Sequence, residues 1–310
     1  MNPANTAAFH GIYPSTLCPF KPDYSIDEHV LERHIAEVTA VAGIVGILCN
    51  GHAGENYLLS REEKRRAIEV ARQAMGQRGI IVAGINSESS LAAAEEARDA
   101  ALARADAIMI FPPYSWAVSQ DATMAIDHHR IVGRATDLPI MLFQGSVHAG
   151  HTAYTPAVLS QLVRIPNVVA IKEGSWETSA YEATRRTVRE EAPQVAVMAS
   201  GDEHLFSCFV LGSEGSLVSL AVVIPGAIVA LDQAVRRGDL AAARAAHEVI
   251  YPLAKAIYGT PPGGHATARL KTCLRLLGRL ERDLVRPPIA PLENSEVERL
   301  RRMLQAVRLL

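Results

Sequence analysis

The chain has 310 residues, with five lysines against 26 arginines. A lysine in an unusual place is therefore informative. Lys172 ends the apolar run Val168-Val169-Ala170-Ile171 and is followed by Glu173. An ammonium drawn into such surroundings is costly, so its pKa should fall. A drop from about 10.4 to 7–8 costs on the order of 4 kcal/mol. A fold tolerates that cost for a neutral amine able to attack a carbonyl and form a Schiff base. An ion pair with Glu173 at a strand end is the competing reading. A second feature is Gly51-His52-Ala53-Gly54-Glu55. Two glycines let backbone amides turn toward a ligand and form an anion nest for a carboxylate. An ordinary strand-to-helix turn has the same composition.

Elements must place these residues together. Short apolar runs occur at 11–17, 43–49, 79–84, 106–111, 139–143, 167–172, 194–199 and 215–221. They are rich in Val and Ile and lack polar alternation, which suits strands buried on both faces. Helical patterns fit 26–41, 60–76, 90–104, 120–135, 155–163, 177–190, 202–211 and 224–236. Ser25 with Glu28, and Ser60 with Glu63, read as capping boxes. Eight strand–helix pairs with short loops predict an α/β fold, a (β/α)8 TIM barrel. A doubly wound sheet is the rival, but no Gly-rich phosphate loop follows the first strand. Helices at 239–258, 264–280 and 294–308 form a C-terminal extension. The expected division is a barrel over 1–236 carrying the active site, then a three-helix region over 237–310. Arg286-Pro287-Pro288-Ile289-Ala290-Pro291-Leu292 reads as a rigid extended connector.

Composition narrows the function. Hydrophobic residues make up 49% and charged residues 21%, as in an ordered globular protein. A net charge of −2 gives no electrostatic reason to expect nucleic acid. No apolar run approaches the roughly 18 residues that span a bilayer. Residues 1–20 carry no charge and are broken by Pro3, Pro14 and Pro19, so no secretory leader is expected. Cys18, Cys49, Cys208 and Cys273 match no zinc or disulfide spacing. They read as reduced, small buried hydrophobes in a cytoplasmic protein. His128-His129 has no partner at ligand spacing and reads as a surface pair, not a metal site. Arg299, Arg301, Arg302 and Arg308 read as a solvated helical face.

The motifs together resemble the dihydrodipicolinate synthase / N-acetylneuraminate lyase superfamily. Asn50-Gly51-His52-Ala53-Gly54-Glu55 resembles its carboxylate-binding loop, and Ile171-Lys172-Glu173 its Schiff-base strand. Gly11 through Phe20, Ser200-Gly201-Asp202-Glu203 and Val285-Arg286-Pro287-Pro288 resemble further signatures, in the same order along nearly the whole chain. The resemblance implies a barrel with a C-terminal helical region and a homotetramer. It also implies a lyase that makes a lysine imine with a pyruvate-type 2-keto acid, without metal or organic cofactor. The other substrate portion would be an aldehyde or derive from a sugar acid. By resemblance, the amides of His52 and Ala53 hold the keto-acid carboxylate, with Gly51 opening the loop, and Gly201 lies near the imine.

Departures from the family pattern are equally informative. The family tyrosine that shuttles protons after the fifth strand is Phe143 here, and the synthase arginine five residues on is His148. Tyr114 is followed by Ser115 where the synthase has a second tyrosine, and the two loop threonines are His52 and Ala53. These changes argue against dihydrodipicolinate synthase itself. Histidine ordinarily titrates near neutral pH and can give and take protons. His52 is the first replacement expected for the tyrosine, His148 the second, and His151 the third. Tyr13 and Tyr114 are further hydroxyl candidates. Phe143, Trp116, Trp176 and Leu217 are expected near the barrel mouth, where they suit an uncharged or aromatic substrate portion; packing between loops or subunits is the alternative. The expected activity is that of an aldolase, a hydratase-aldolase or a keto-deoxy-acid dehydratase. A scaffold that binds 2-keto acids as a sensor without turnover is the alternative from a different class.

Overall fold

A computed structural model describes residues 9–118 and 121–310. The expected helix start at 120, the Pro3 part of the leader reading and the His151 side chain lie outside the described residues.

Eight parallel strands form the barrel wall: β1 (Gly11–Pro14), β2 (Gly46–Cys49), β3 (Ile80–Ile85), β4 (Ala107–Ile110), β5 (Ile140–Gln144), β6 (Val168–Glu173), β7 (Ala196–Ala199) and β8 (Gly215–Val218). Their order is β1-β8-β7-β6-β5-β4-β3-β2. Parallel bridges Ile12↔Ile44 and Ser15↔Leu48 bring β1 back against β2. Every strand falls within or overlaps an expected run. Each is followed by a helix: α1 (Glu28–Thr39), α2 (Arg61–Met75), α3 (Ser90–Leu102), α4 (Ala122–Gly133), α5 (Pro156–Leu162), α6 (Thr178–Glu191), α7 (Leu205–Val210) and α8 (Pro225–Arg236). Then come α9 (Leu240–Ile257), α10 (Ala266–Leu276) and α11 (Asn294–Ala306). The fold is a TIM barrel with a C-terminal helical extension.

Strand residues alternate between two apolar layers, as the period of two demands. Ile47, Ile81, Ile108, Leu142 and Val197 face the surrounding helices. Tyr13, Leu48, Val82, Met109, Met141 and Met198 fill the barrel interior. Small residues make room for the large ones. A Cβ on Gly46 would stand 2.5 Å from the Tyr13 ring, so glycine there lets the ring cross the interior.

Two local expectations are corrected. Asp27, not Ser25, caps α1, accepting from Val30 N at 3.3 Å, while Ser25 Oγ donates to Asp23 Oδ1 at 2.7 Å. An aspartate two residues on offers the better acceptor to the first turn. His128 and His129 are buried rather than at the surface. His128 Nδ1 meets Ser90 Oγ at 2.9 Å. His129 Nδ1 donates to the Ala125 carbonyl at 2.8 Å, and its Nε2 accepts from Tyr154 at 3.0 Å. The packed face of α4 holds them, with Trp116 edge-on to His128 at 5.4 Å. The Ser60–Glu63 capping box of α2 forms as expected.

Candidate active site

Lys172, one residue before the end of β6, pairs in register with Phe143 on β5 and Met198 on β7. Its neighbour Ile171 faces the helices, so strand alternation turns Lys172 to the inside. It lies at the C-terminal end of the barrel, where this fold carries its chemistry. The amine opens into a cavity of about 570 Å³ lined by Ser15, His52, Ala53, Phe143, Asp202 and Leu217, among others. Burial pushes Lys172 down to about 8, with Asp202 pulling the other way. The nitrogen stands 5.4 Å from the centre of the Phe143 ring. Glu173 does not neutralise it. That carboxyl is buried behind the strand, accepting from Ser175 Oγ at 3.0 Å and from Thr184 Oγ1 at 3.4 Å. Burial pushes it up to about 7.

The glycine loop forms a short 3-10 turn over His52–Gly54. Gly51 packs so closely on Ser15 that a Cβ would lie 2.5 Å from Ser15 Oγ. Bonds inside the turn begin at Gly54 N, which donates to Gly51 O at 3.0 Å. The amides of His52 and Ala53 thus have no acceptor within the turn, as at any helical start. The His52 ring sits 4.4 Å from Phe111 and 5.5 Å from Phe143, centre to centre. Its Nε2 is buried and has no hydrogen-bond partner among the described residues. The expectation that His52 titrates near neutral pH is not met. Burial, and then Lys172, push it down to about 3, so the imidazole is neutral.

The other expected residues divide. Phe143, Leu217, Tyr114 and Trp176 line the cavity with Lys172 and His52. Gly201 is buried between two lining residues, Ser200 and Asp202. His148 is not brought to the cavity: its side chain is 81% exposed and lies 3.7 Å from Glu177 on the surface. Trp116 is buried against the histidine pair, and Tyr13 lies in the barrel interior; neither lines the cavity. No group of three or more His, Cys, Asp or Glu among the described residues could hold a metal.

Sequence reasoning missed two residues. Asp202 follows β7 and lines the cavity, its Oδ1 accepting from Leu220 N at 3.0 Å. Burial pushes it up to about 7, against the pull of the Leu220 amide and of Lys172. Its signal was present in Ser200-Gly201-Asp202-Glu203, read only for its glycine. Tyr258 comes from the end of α9 and meets Ser219 Oγ at 2.6 Å. Nothing local marked it, because only the docking of the extension brings it to the mouth.

A buried ion pair ties the extension to the glycine loop. Lys271 of α10 and Glu55 of the glycine loop are paired with no exposure of either side chain. Lys271 also donates to Leu284 O at 2.7 Å, and Glu55 Oε2 accepts from Arg286 N at 2.9 Å. Arg286 reaches on to Leu58 O and Glu63 Oε2, each at 2.8 Å. The connector therefore clamps the loop as well as spanning a gap. Replacing Lys271 with methionine leaves Glu55 buried and unpaired, and should cost about 3–5 kcal/mol in denaturant unfolding. Adding Glu55→Gln should recover part of that loss; a loss under 1 kcal/mol for the single variant would show the pair is dispensable.

Comparison with known proteins agrees with the fold. The model of the dihydrodipicolinate synthetase family matches residues 8–307. The chain belongs to that family. It is 32% identical to a 4-hydroxy-tetrahydrodipicolinate synthase of Methanothrix thermoacetophila, over 96% of each chain. It is 27% identical to the putative 2-dehydro-3-deoxy-D-gluconate aldolase YagE of Escherichia coli K12, covering 98% of this chain and 99% of that one. The crystal structure of YagE in complex with pyruvate superposes with a TM-score of 0.89 at 26% identity, over 97% of this chain and 99% of YagE. Among the described residues, no helix is long and apolar enough to cross a membrane.

Proposed function

We propose that the protein is a class I lyase acting on a pyruvate-type 2-keto acid through an imine on Lys172. The observation that carries this is the buried Lys172 amine, held at about 8 and opening into the cavity. Relatives described as synthase and aldolase support the same reaction class.

The neutral amine attacks C2 and water leaves, giving an iminium. The iminium withdraws electrons from C3. In the aldolase direction the proton of a C4 hydroxyl passes to Asp202. The C3–C4 pair then flows into the iminium, giving an enamine and a free aldehyde. In a dehydration C3 loses a proton, and the C4 hydroxyl leaves as water with a proton from Asp202. A carboxyl held at about 7 populates both protonation states at neutral pH, which suits it to both tasks. His52 meets the carboxylate end with the Ala53 amide. A substrate carboxylate beside the ring favours the imidazolium, so proton transfer at C3 is assigned to His52. The imine is itself the electron sink, so no metal or organic cofactor is assigned. After cleavage, protonation of the enamine at C3 restores the iminium. Its hydrolysis releases pyruvate, or the dehydrated keto acid in the dehydration, and frees Lys172.

Condensation with aspartate semialdehyde is disfavoured. No arginine lines the cavity among the described residues, and His148 is too exposed to replace one. The sensor reading has Phe143 in its favour, but Asp202 supplies a proton-transfer group that reading does not need. A cytoplasmic location is proposed from the four cysteines, read as reduced thiols, and a homotetramer from the family resemblance.

A panel of 4-substituted 2-keto acids tests the function: at least one should yield pyruvate plus aldehyde, or a dehydrated keto acid. Binding of the whole panel without turnover would favour the sensor. The pH dependence is a second check. Adduct formation needs the neutral amine, so its rate should rise with pH and level off above about 8. A rate still climbing through pH 10 would point to an ordinary exposed lysine.

A further inference from the structure

Trp176 holds a left-handed backbone conformation, with φ of 65°. That region is unfavourable for a bulky side chain and is normally left to glycine or asparagine. The turn around it is fixed from both sides. Glu173 Oε2 accepts from Ser175 Oγ at 3.0 Å, and Ser175 Oγ also reaches Glu177 O at 3.2 Å. Val147 N donates to Ser175 O at 3.2 Å. A strained residue that its surroundings hold in place points to a use for the side chain. Here the indole lines the cavity above Lys172, with its ring centre 5.3 Å from that of Tyr258.

We infer that Trp176 is the specificity-determining residue for the part of the substrate beyond C4, and that this part is planar and aromatic. The inference rests on the imine reading above. Three observations carry it beyond the backbone strain. The indole and the Tyr258 ring form one aromatic wall, and Phe143 forms another beside the amine. Two of the polar groups on that side are already engaged: Ser219 Oγ with Tyr258 at 2.6 Å, and Asp202 Oδ1 with Leu220 N at 3.0 Å. Lys172 is the lone Lys or Arg among the described lining residues, so nothing cationic remains to hold a distal carboxylate or phosphate. A polyhydroxylated chain would exchange water hydrogen bonds for aromatic faces, whereas an aryl group stacks on them.

Calorimetric titration separates the possibilities. The probes are benzylidenepyruvate and 2-dehydro-3-deoxy-D-gluconate, each titrated into wild type, Trp176→Gly and Trp176→Phe. Wild type should bind the aromatic acid about tenfold or more tightly than the sugar acid. Trp176→Gly should bring the two affinities to within about threefold, and its melting temperature should not fall, since glycine relieves the backbone. Trp176→Phe should keep most of the preference. Wild type that favours the sugar acid, or a glycine variant that keeps the full aromatic preference, overturns the inference. Both readouts are of binding, and the imine reading is tested apart from them, by whether borohydride traps a keto-acid adduct on Lys172 of wild type.

Discussion

Lys172→Ala should lose turnover of every accepted 2-keto acid by about 10⁴-fold or more, the scale seen when a covalent nucleophile is removed. The remaining cavity can still bind a keto acid, but without the imine it has no electron sink at C2. The loss should not come from unfolding. A buried ammonium is costly, and burial already pushes this one down to about 8. Lys172→Met keeps the length and removes the charge, so it should melt no lower than wild type while remaining inactive. Turnover within tenfold of wild type in either variant would remove the lysine from the chemistry.

The second large effect concerns proton transfer. Asp202→Asn and His52→Ala should each reduce turnover by about 10²–10⁴-fold, while the imine with pyruvate still forms. The two should differ in how adduct formation responds to pH. Asp202 holds the Lys172 ammonium up. Without its charge the amine loses its proton more easily, and the midpoint should move below about 8. His52 is neutral, pushed down to about 3, so its removal should produce no downward move. Steady-state turnover with borohydride trapping across pH 6–10 checks both. If either variant keeps turnover within a few-fold of wild type, the proton role assigned to that residue is wrong.

Much of this site could be read from the sequence because it depends on local rules. Val168 through Lys172 is an apolar run ending in a charge, and such a run suits a buried strand of a parallel barrel with its charge toward the rim. The glycines of the 51–54 loop mark a turn wherever they occur after a strand. The parts that could not be read depend on distant packing. Tyr258 reaches the mouth only through the packing of the C-terminal extension on the barrel, where Lys271 of α10 also pairs with Glu55 of the glycine loop. His128 and His129 look like a polar pair until α3 supplies Ser90 and the segment after β5 supplies Tyr154. His52 reaches the cavity as expected but not with the expected charge behaviour, because its aromatic neighbours come from distant segments, Phe111 just after β4 and Phe143 in β5. Asp202 was visible as a residue, but only burial beside Lys172 brings its carboxyl to about 7.

The most direct test of the imine is the intact mass of the protein after incubation with pyruvate and sodium borohydride, with Lys172→Ala alongside. A gain of one reduced pyruvate on wild type, mapped to Lys172 by peptide digestion and absent from the variant, is the predicted result. No gain on wild type with pyruvate or with larger 2-keto acids, or an equal gain on the variant, would contradict the Schiff-base mechanism.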